Sequence, residues 1–155
     1  MASTQQFCTF LLDGHMFGTP VPKVQEVIQH QEMTRVPLAP DVVRGLINLR
    51  GQIVSAIDLR RRLGLEDRPA GQLPMNVVVR TNDGAVSLLV DEIGDVIEVE
   101  EETLESPPET LQDFAREVVN GVYKLSGHLL LALDIDKIVD LADLSKPNGN
   151  REFSS

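Results

Sequence analysis

The residues best suited to recognition chemistry gather between Val36 and Leu65, VPLAPDVVRGLINLRGQIVSAIDLRRRLGL. Arg50 stands near the middle, with apolar residues on both sides and Gly51 behind it. Glycine takes positive φ without strain, so Asn48 to Gly51 is predicted to be a tight turn with an arginine at its tip. An arginine on a turn is usually only solvated; one fixed on an apolar ledge is a forked donor for a partner. No catalytic set accompanies it. There is no G-x-S-x-G elbow and no glycine signature for nucleotide phosphates. Cys8 has no obvious partner for nucleophilic work. His15, His30 and His128 are isolated, without ligand-like spacing, so neither zinc nor another cofactor is expected. Asp134 and Asp136 alternate like a carboxylate pair, but Asp136 reads better as a helix N-cap and Asp134 as a turn residue.

The elements around this stretch are short. Pro37 and Pro40 stop regular structure, and Pro40 suits the first position of one or two helical turns over Asp41 to Arg44. Gln52 to Leu59 reads as a strand, followed by a helical turn over Arg60 to Leu65 with Gly64 as its cap. Before it, Gln6 to Leu12 and His15 to Gly18 form a hairpin about Asp13-Gly14. Val21 to Gln29 suits a short helix or a twisted strand, and Met33 to Val36 a brief extended piece. Glu66 to Leu73 is a polar loop and the expected boundary between lobes. Met75 to Arg80 and Ala85 to Val90 flank the turn Asn82-Asp83-Gly84. Asp91 to Gly94 turns again, and Asp95 to Val99 alternates like a half-buried strand. An irregular connection from Ser106 through Phe114 precedes strands at Val118 to Leu125 and His128 to Ile135, joined by Ser126-Gly127. Asp136 to Leu144 has helical apolar spacing, and the tail from Ser145 is polar, with disorder expected.

Strands with turn signals every ~8–12 residues predict an all-β barrel or sandwich rather than alternating βα units. A hairpin, a glycine-marked turn, a strand and a short helix occur once ending near Leu65 and again near Leu144. This echo predicts two similar lobes, about 14–65 and 75–144, with strand exchange between them allowed. Val24, Val27, Leu46, Ile47 and Leu49 flank turns and element ends, where full burial is hard. Most belong to the core, and some are expected to line a groove for a partner helix.

Composition narrows the function further. The 155 residues carry a net charge of −10, with no Trp and one Tyr. The mean hydropathy is −0.05 and the pI about 4.6. Acidity disfavours a nucleic-acid backbone or an anionic membrane as partner. Arg60, Arg61, Arg62 and Arg68 cluster locally and read as a solvated helix face. The run Glu98 to Glu102 reads as a charged strand edge that blocks pairing with other chains. One cysteine excludes an internal disulfide and suits a reducing compartment. No secretory signal or apolar span is visible, so a cytoplasmic protein is expected. Scarce aromatics argue against a groove for proline-rich peptides.

Four segments carry a resemblance: KVQEV at Lys23 to Val27, the long segment TRVPLAPDVVRGLINLRGQIVSAIDLRRRLGL, VSLLVDEIGDVIEV at Val86 to Val99, and GVYKLSGHLLLALDIDKIVDL at Gly121 to Leu141. Together they closely resemble the CheW coupling proteins of bacterial chemotaxis, from Phe7 to about Leu144. The resemblance implies two five-stranded SH3-like β-barrels sharing a hydrophobic seam, with short helices including a C-terminal one. It implies a non-catalytic adaptor between chemoreceptor cytoplasmic tips and the regulatory domain of the CheA histidine kinase, in arrays at the membrane. By position, Val24, Gly45, Arg50 and Val96 match family residues tied to receptor binding, and Glu26 matches the acidic partner of that arginine. Val27 and Asn48 belong to the same expected surface. Ile53, Val77 and Val79 are the expected kinase contacts, with burial in the core an equal alternative for each. The chain opens at Met1 without kinase sequence before it, so a stand-alone adaptor is expected rather than a kinase's regulatory domain.

Overall fold

The computed structural model describes residues 3–111 and 113–140. Ten strands build two five-stranded sheets. The first sheet holds β1 (Thr4–Leu12), β2 (His15–Pro20), β8 (Glu92–Glu100), β9 (Val119–Leu125) and β10 (His128–Leu133), in the order β8-β1-β2-β10-β9. The second holds β3 (Val24–Ile28), β4 (Val43–Leu49), β5 (Gln52–Asp58), β6 (Met75–Thr81) and β7 (Gly84–Val90), in the order β3-β6-β7-β5-β4. Each sheet is antiparallel except for one parallel pair, β2 with β10 and β5 with β7.

Each sheet is curled by one further backbone bridge. Thr34, downstream of β3, exchanges both backbone hydrogen bonds with Leu46 on β4 at 2.9 and 2.8 Å. Glu105, downstream of β8, does the same with Val122 on β9 at 2.9 and 2.8 Å. A glycine precedes the bridge on each strand for a physical reason. A Cβ on Gly45 would lie 2.6 Å from the Thr34 carbonyl oxygen, and one on Gly121 would strike the Glu105 carbonyl in the same way. The correspondence continues into the helices. Asp58 caps α1 (Leu59–Arg62) and donates its N–H to Val42, while Asp134 caps α3 (Ile135–Ile138) and donates to Val118. The interval from Asp58 to Asp134 is the same as that from Gly45 to Gly121.

The two units do not follow the boundaries 14–65 and 75–144. β1 and β2 pair with the C-terminal strands, and β6 and β7 with β3–β5. The chain crosses between sheets at the single 3₁₀ turn Val21–Lys23 and again at Asp91, not at the 66–73 loop. Crossing twice builds the seam. Phe10, Leu12 and Phe17 from the first sheet interleave with Val77, Val79, Leu88 and Val90 from the second, closed by Leu59, Val118, Ile135 and Ile138. Each barrel keeps a smaller interior: Ile47, Leu49, Val54, Ala56, Val78 and Leu89 in one, and Phe7, Val99, Tyr123, Leu130 and Ala132 in the other. Apolar burial therefore welds the barrels together.

Several local expectations differ from the structure. Asp41 and Val42 form only a turn, and Val43 already pairs with Ile57. Gly45 does not break an element; a register shift before it absorbs its close approach to Thr34. The strand expected at Asp95 starts at Glu92, because β1 supplies partners that far. The connection through Phe114 ends in a helix, α2 (Asp113–Val118). Asp134, not Asp136, is the N-cap of the last helix, its side chain accepting from the Lys137 N–H at 3.2 Å. Residues 141–155, which include the expected end of that helix and the polar tail, lie outside the described residues.

Candidate functional site

Strand parity decides which side chains face the seam. On β1, Cys8 shares a face with Phe10 and Leu12, which lie in the seam cluster. Val96 is directly opposite Cys8, so it lies on the same face, and it is 56% exposed. On β3, Val24 pairs with Val79 and Val27 with Val77, both seam residues. Val24 is half-buried against the seam, and Val27 is 39% exposed. Val24, Val27 and Val96 are thus aliphatic side chains on the seam-facing sides of the edge strands of the two sheets. Among the described residues neither sheet has a further strand beyond these edges, and apolar surface there stays exposed.

Glu26 lies on the other side of β3, opposite Val78. Its carboxylate accepts from Arg50 Nη2. Arg50 and Gly51 are the two central residues of the β4–β5 hairpin, with φ of 52° and 91°. Positive φ at both positions matches the twist of the flanking strands. Asn48 Oδ1 accepts the Gly51 N–H at 2.8 Å and fixes the turn. The ion pair therefore spans from the β4–β5 turn to the edge strand β3. The Arg50 side chain is 71% exposed, so the pair adds at most about 1 kcal/mol to stability. Its effect is to orient the guanidinium.

The remaining expected positions separate by burial. Gly45 is buried beneath Thr34 and offers no surface. Ile53 is 60% exposed on β5 and available to a partner. Val77 and Val79 are 1% and 0% exposed, so their side chains meet the seam and not a second protein; each stands under a β3 valine. A cavity of about 740 Å³ opens beside the Val36–Pro40 turn, lined among others by Met33, Leu38, Arg44 and Arg61. None of Val24, Val27, Arg50 or Val96 lines it. Among the described residues no group of His, Cys, Asp and Glu is arranged to hold a metal, and no helix is long and apolar enough to cross a membrane.

The arginine run is not a solvated face. Arg60 and Arg62 are buried, and the Arg68 side chain is 7% exposed. Arg60 donates from Nε to Asp91 Oδ1 and Oδ2 at 3.0 and 3.2 Å, and from Nη2 to Oδ2 at 2.5 Å. Arg68 Nε donates to Asp91 Oδ1 at 2.8 Å, and its Nη2 lies 3.6 Å from Asp58 Oδ1. Arg62 donates to the carbonyls of Ile138 and Lys137, at the end of α3. Arg61 is the outward member, paired with Asp67 and Asp41. Burial pushes the Asp91 carboxyl upward, but Arg60, the Asp13 N–H and Arg68 outweigh it and hold the group at about 2. This cluster had one legible sign: an aspartate directly after the apolar residues Leu88 to Val90.

This double barrel, with a shared seam and aliphatic edge strands, defines a scaffold architecture. A family model described as the CheW-like domain matches residues 6–143. The chain is 30% identical over 145 residues to the chemotaxis protein CheW of Treponema pallidum, covering 91% of this chain and 85% of that protein. It is 31% identical over 136 residues to the CheW of Bacillus subtilis, covering 88% and 87%. The crystal structure of the scaffolding protein TtCheW from Thermoanaerobacter tengcongensis superposes with a TM-score of 0.79 at 26% identity, over 90% of this chain and 94% of that one. The chain belongs to the CheW family of chemotaxis coupling and scaffold proteins.

Proposed function

We propose that this chain is a non-catalytic adaptor that holds chemoreceptor cytoplasmic tips beside the CheA histidine kinase, in the cytoplasm beneath a receptor array. The observation that carries the reading is the seam face: Val24, Val27 and Val96 leave aliphatic surface at its rims, and Arg50 is held on Glu26, on the other side of the same edge strand β3. A helical hairpin presents an apolar stripe with polar flanks, which suits an aliphatic face bordered by a forked donor on the edge strand. Ile53 is on the second sheet, on β5 rather than on the β3 edge, and suits a separate contact with the kinase's regulatory domain. Two distinct surfaces on one rigid body are what a coupling protein needs, with no reaction to perform.

Co-sedimentation with receptor-tip fragments and CheA tests the reading. The chain is expected to bring both into one complex and to raise kinase autophosphorylation. Binding of neither partner, or turnover of ATP by the purified chain alone, would contradict it.

A further inference from the structure

We infer that Asp58, Arg60, Arg68 and Asp91 form a latch that sets the angle between the two barrels and so the placing of Val96 relative to Val27. The inference rests on reading the face that carries those valines as the receptor site.

Asp91 is the single residue between β7 of one sheet and β8 of the other. Polar groups of both barrels meet on it. From the first barrel, the Asp13 N–H in the β1–β2 turn donates to Asp91 Oδ2 at 2.8 Å, and the Asp91 N–H donates to the Leu11 carbonyl at 3.0 Å. From the second barrel come Arg60, the second residue of α1 after β5, and Arg68 from the following loop. Asp58 backs both arginines: its Oδ1 accepts the Arg60 N–H at 3.0 Å and faces Arg68 Nη2, while Oδ2 accepts from Arg44. Arg60 Nη1 also donates to the Glu66 carbonyl at 3.0 Å, which ties down the loop that carries Arg68.

The seam alone does not fix an angle. Contacts among Phe10, Phe17, Val77, Val79 and Leu88 are apolar and without direction, so they resist separation more than sliding. Forked guanidinium–carboxylate bonds have a fixed geometry, and in a buried place they specify one arrangement. The latch also stands at the start of the strand that carries Val96. Val96 lies five residues along β8 from Asp91, roughly 16 Å at strand rise, so a small rotation at Asp91 moves Val96 by a few ångströms relative to Val27. Arg62, on the carbonyls of Lys137 and Ile138, is a second polar tie between the barrels, and it leaves Asp91 as the tie nearest β8.

The test is a distance and an affinity measured on the full chain. With Cys8→Ser as background, cysteines replacing the exposed Asp83 and Ser126 carry one spin label on each barrel, and their separation is read by electron–electron double resonance. Asp91→Asn and Arg68→Gln are expected to broaden that distribution while dispersed methyl spectra stay native, and to weaken binding of a receptor-tip hairpin about tenfold. Arg50→Ala is expected to weaken binding with no change in distance. If Asp91→Asn does not fold, Arg68→Gln, which keeps the Arg60–Asp91 fork, decides the matter. A folded variant with the parent distance distribution overturns the latch. Broadened distances with unchanged affinity, while Arg50→Ala binds weakly, overturn its control of that face. If Arg50→Ala also binds normally, the receptor reading fails, and the latch is then judged by distance alone.

Discussion

Arg50 reaches from the tip of the β4–β5 hairpin to Glu26 on the edge strand β3, so two residues far apart in sequence present one oriented guanidinium. Removing it costs the fold little, because the pair is exposed and the backbone turn is held by Asn48. Arg50→Ala is expected to leave the unfolding midpoint within about 4 °C of the parent, while receptor-tip affinity falls roughly tenfold, or about 1.4 kcal/mol. Calorimetric titration with a receptor-tip fragment checks it; unchanged affinity removes Arg50 from the site.

Gly45 is expected to act through the fold alone. Its missing Cβ makes room for the Thr34 carbonyl oxygen, which closes the barrel through Leu46. Gly45→Ala forces that backbone outward and is expected to destabilise by about 1–3 kcal/mol. Urea unfolding measures the loss. Hydrogen exchange at the Thr34 and Leu46 amides should rise in step, and parent-like protection there would refute the account.

Acid should act on the buried cluster. Asp91 titrates at about 2, below an unfolded carboxyl near 3.9. A depressed carboxyl stabilises the fold above its unfolded value, and that contribution is lost as pH falls through the folded value. Between about pH 4 and pH 2 the parent should lose on the order of 2 kcal/mol from this group. Asp91→Asn should be less stable at pH 7 and show a flatter decline over that window. Equal slopes for the two proteins would mean that Asp91 is not the group responsible.

The strands were legible because their signals are local: alternation at Asp95 to Val99, and turn pairs at Asp13-Gly14, Arg50-Gly51 and Ser126-Gly127, whose glycines all have positive φ. The repeated hairpin-and-helix unit was legible for the same reason. Which strands share a sheet was not, because the pairing of β1 with β8 depends on contacts across more than half of the chain. The same limit hid the arginines. Arg60 reads as solvated until Asp91, far along the sequence, is placed beside it. Val77 and Val79 look like any strand valines, and only the position of β3 over β6 buries them. At the site, the turn bearing Arg50 followed from Asn48 and Gly51, whereas the common face of Val24, Val27 and Val96 needed the register.

The central claim is that those three valines form the receptor surface. Methyl-resolved spectra of the chain, titrated with a receptor-tip hairpin, test it most directly. The methyl groups of Val24, Val27 and Val96 are expected to shift or broaden, with Ile53 unaffected. Shifts confined to Ile53 and its neighbours, with the three valines silent at saturation, would contradict it.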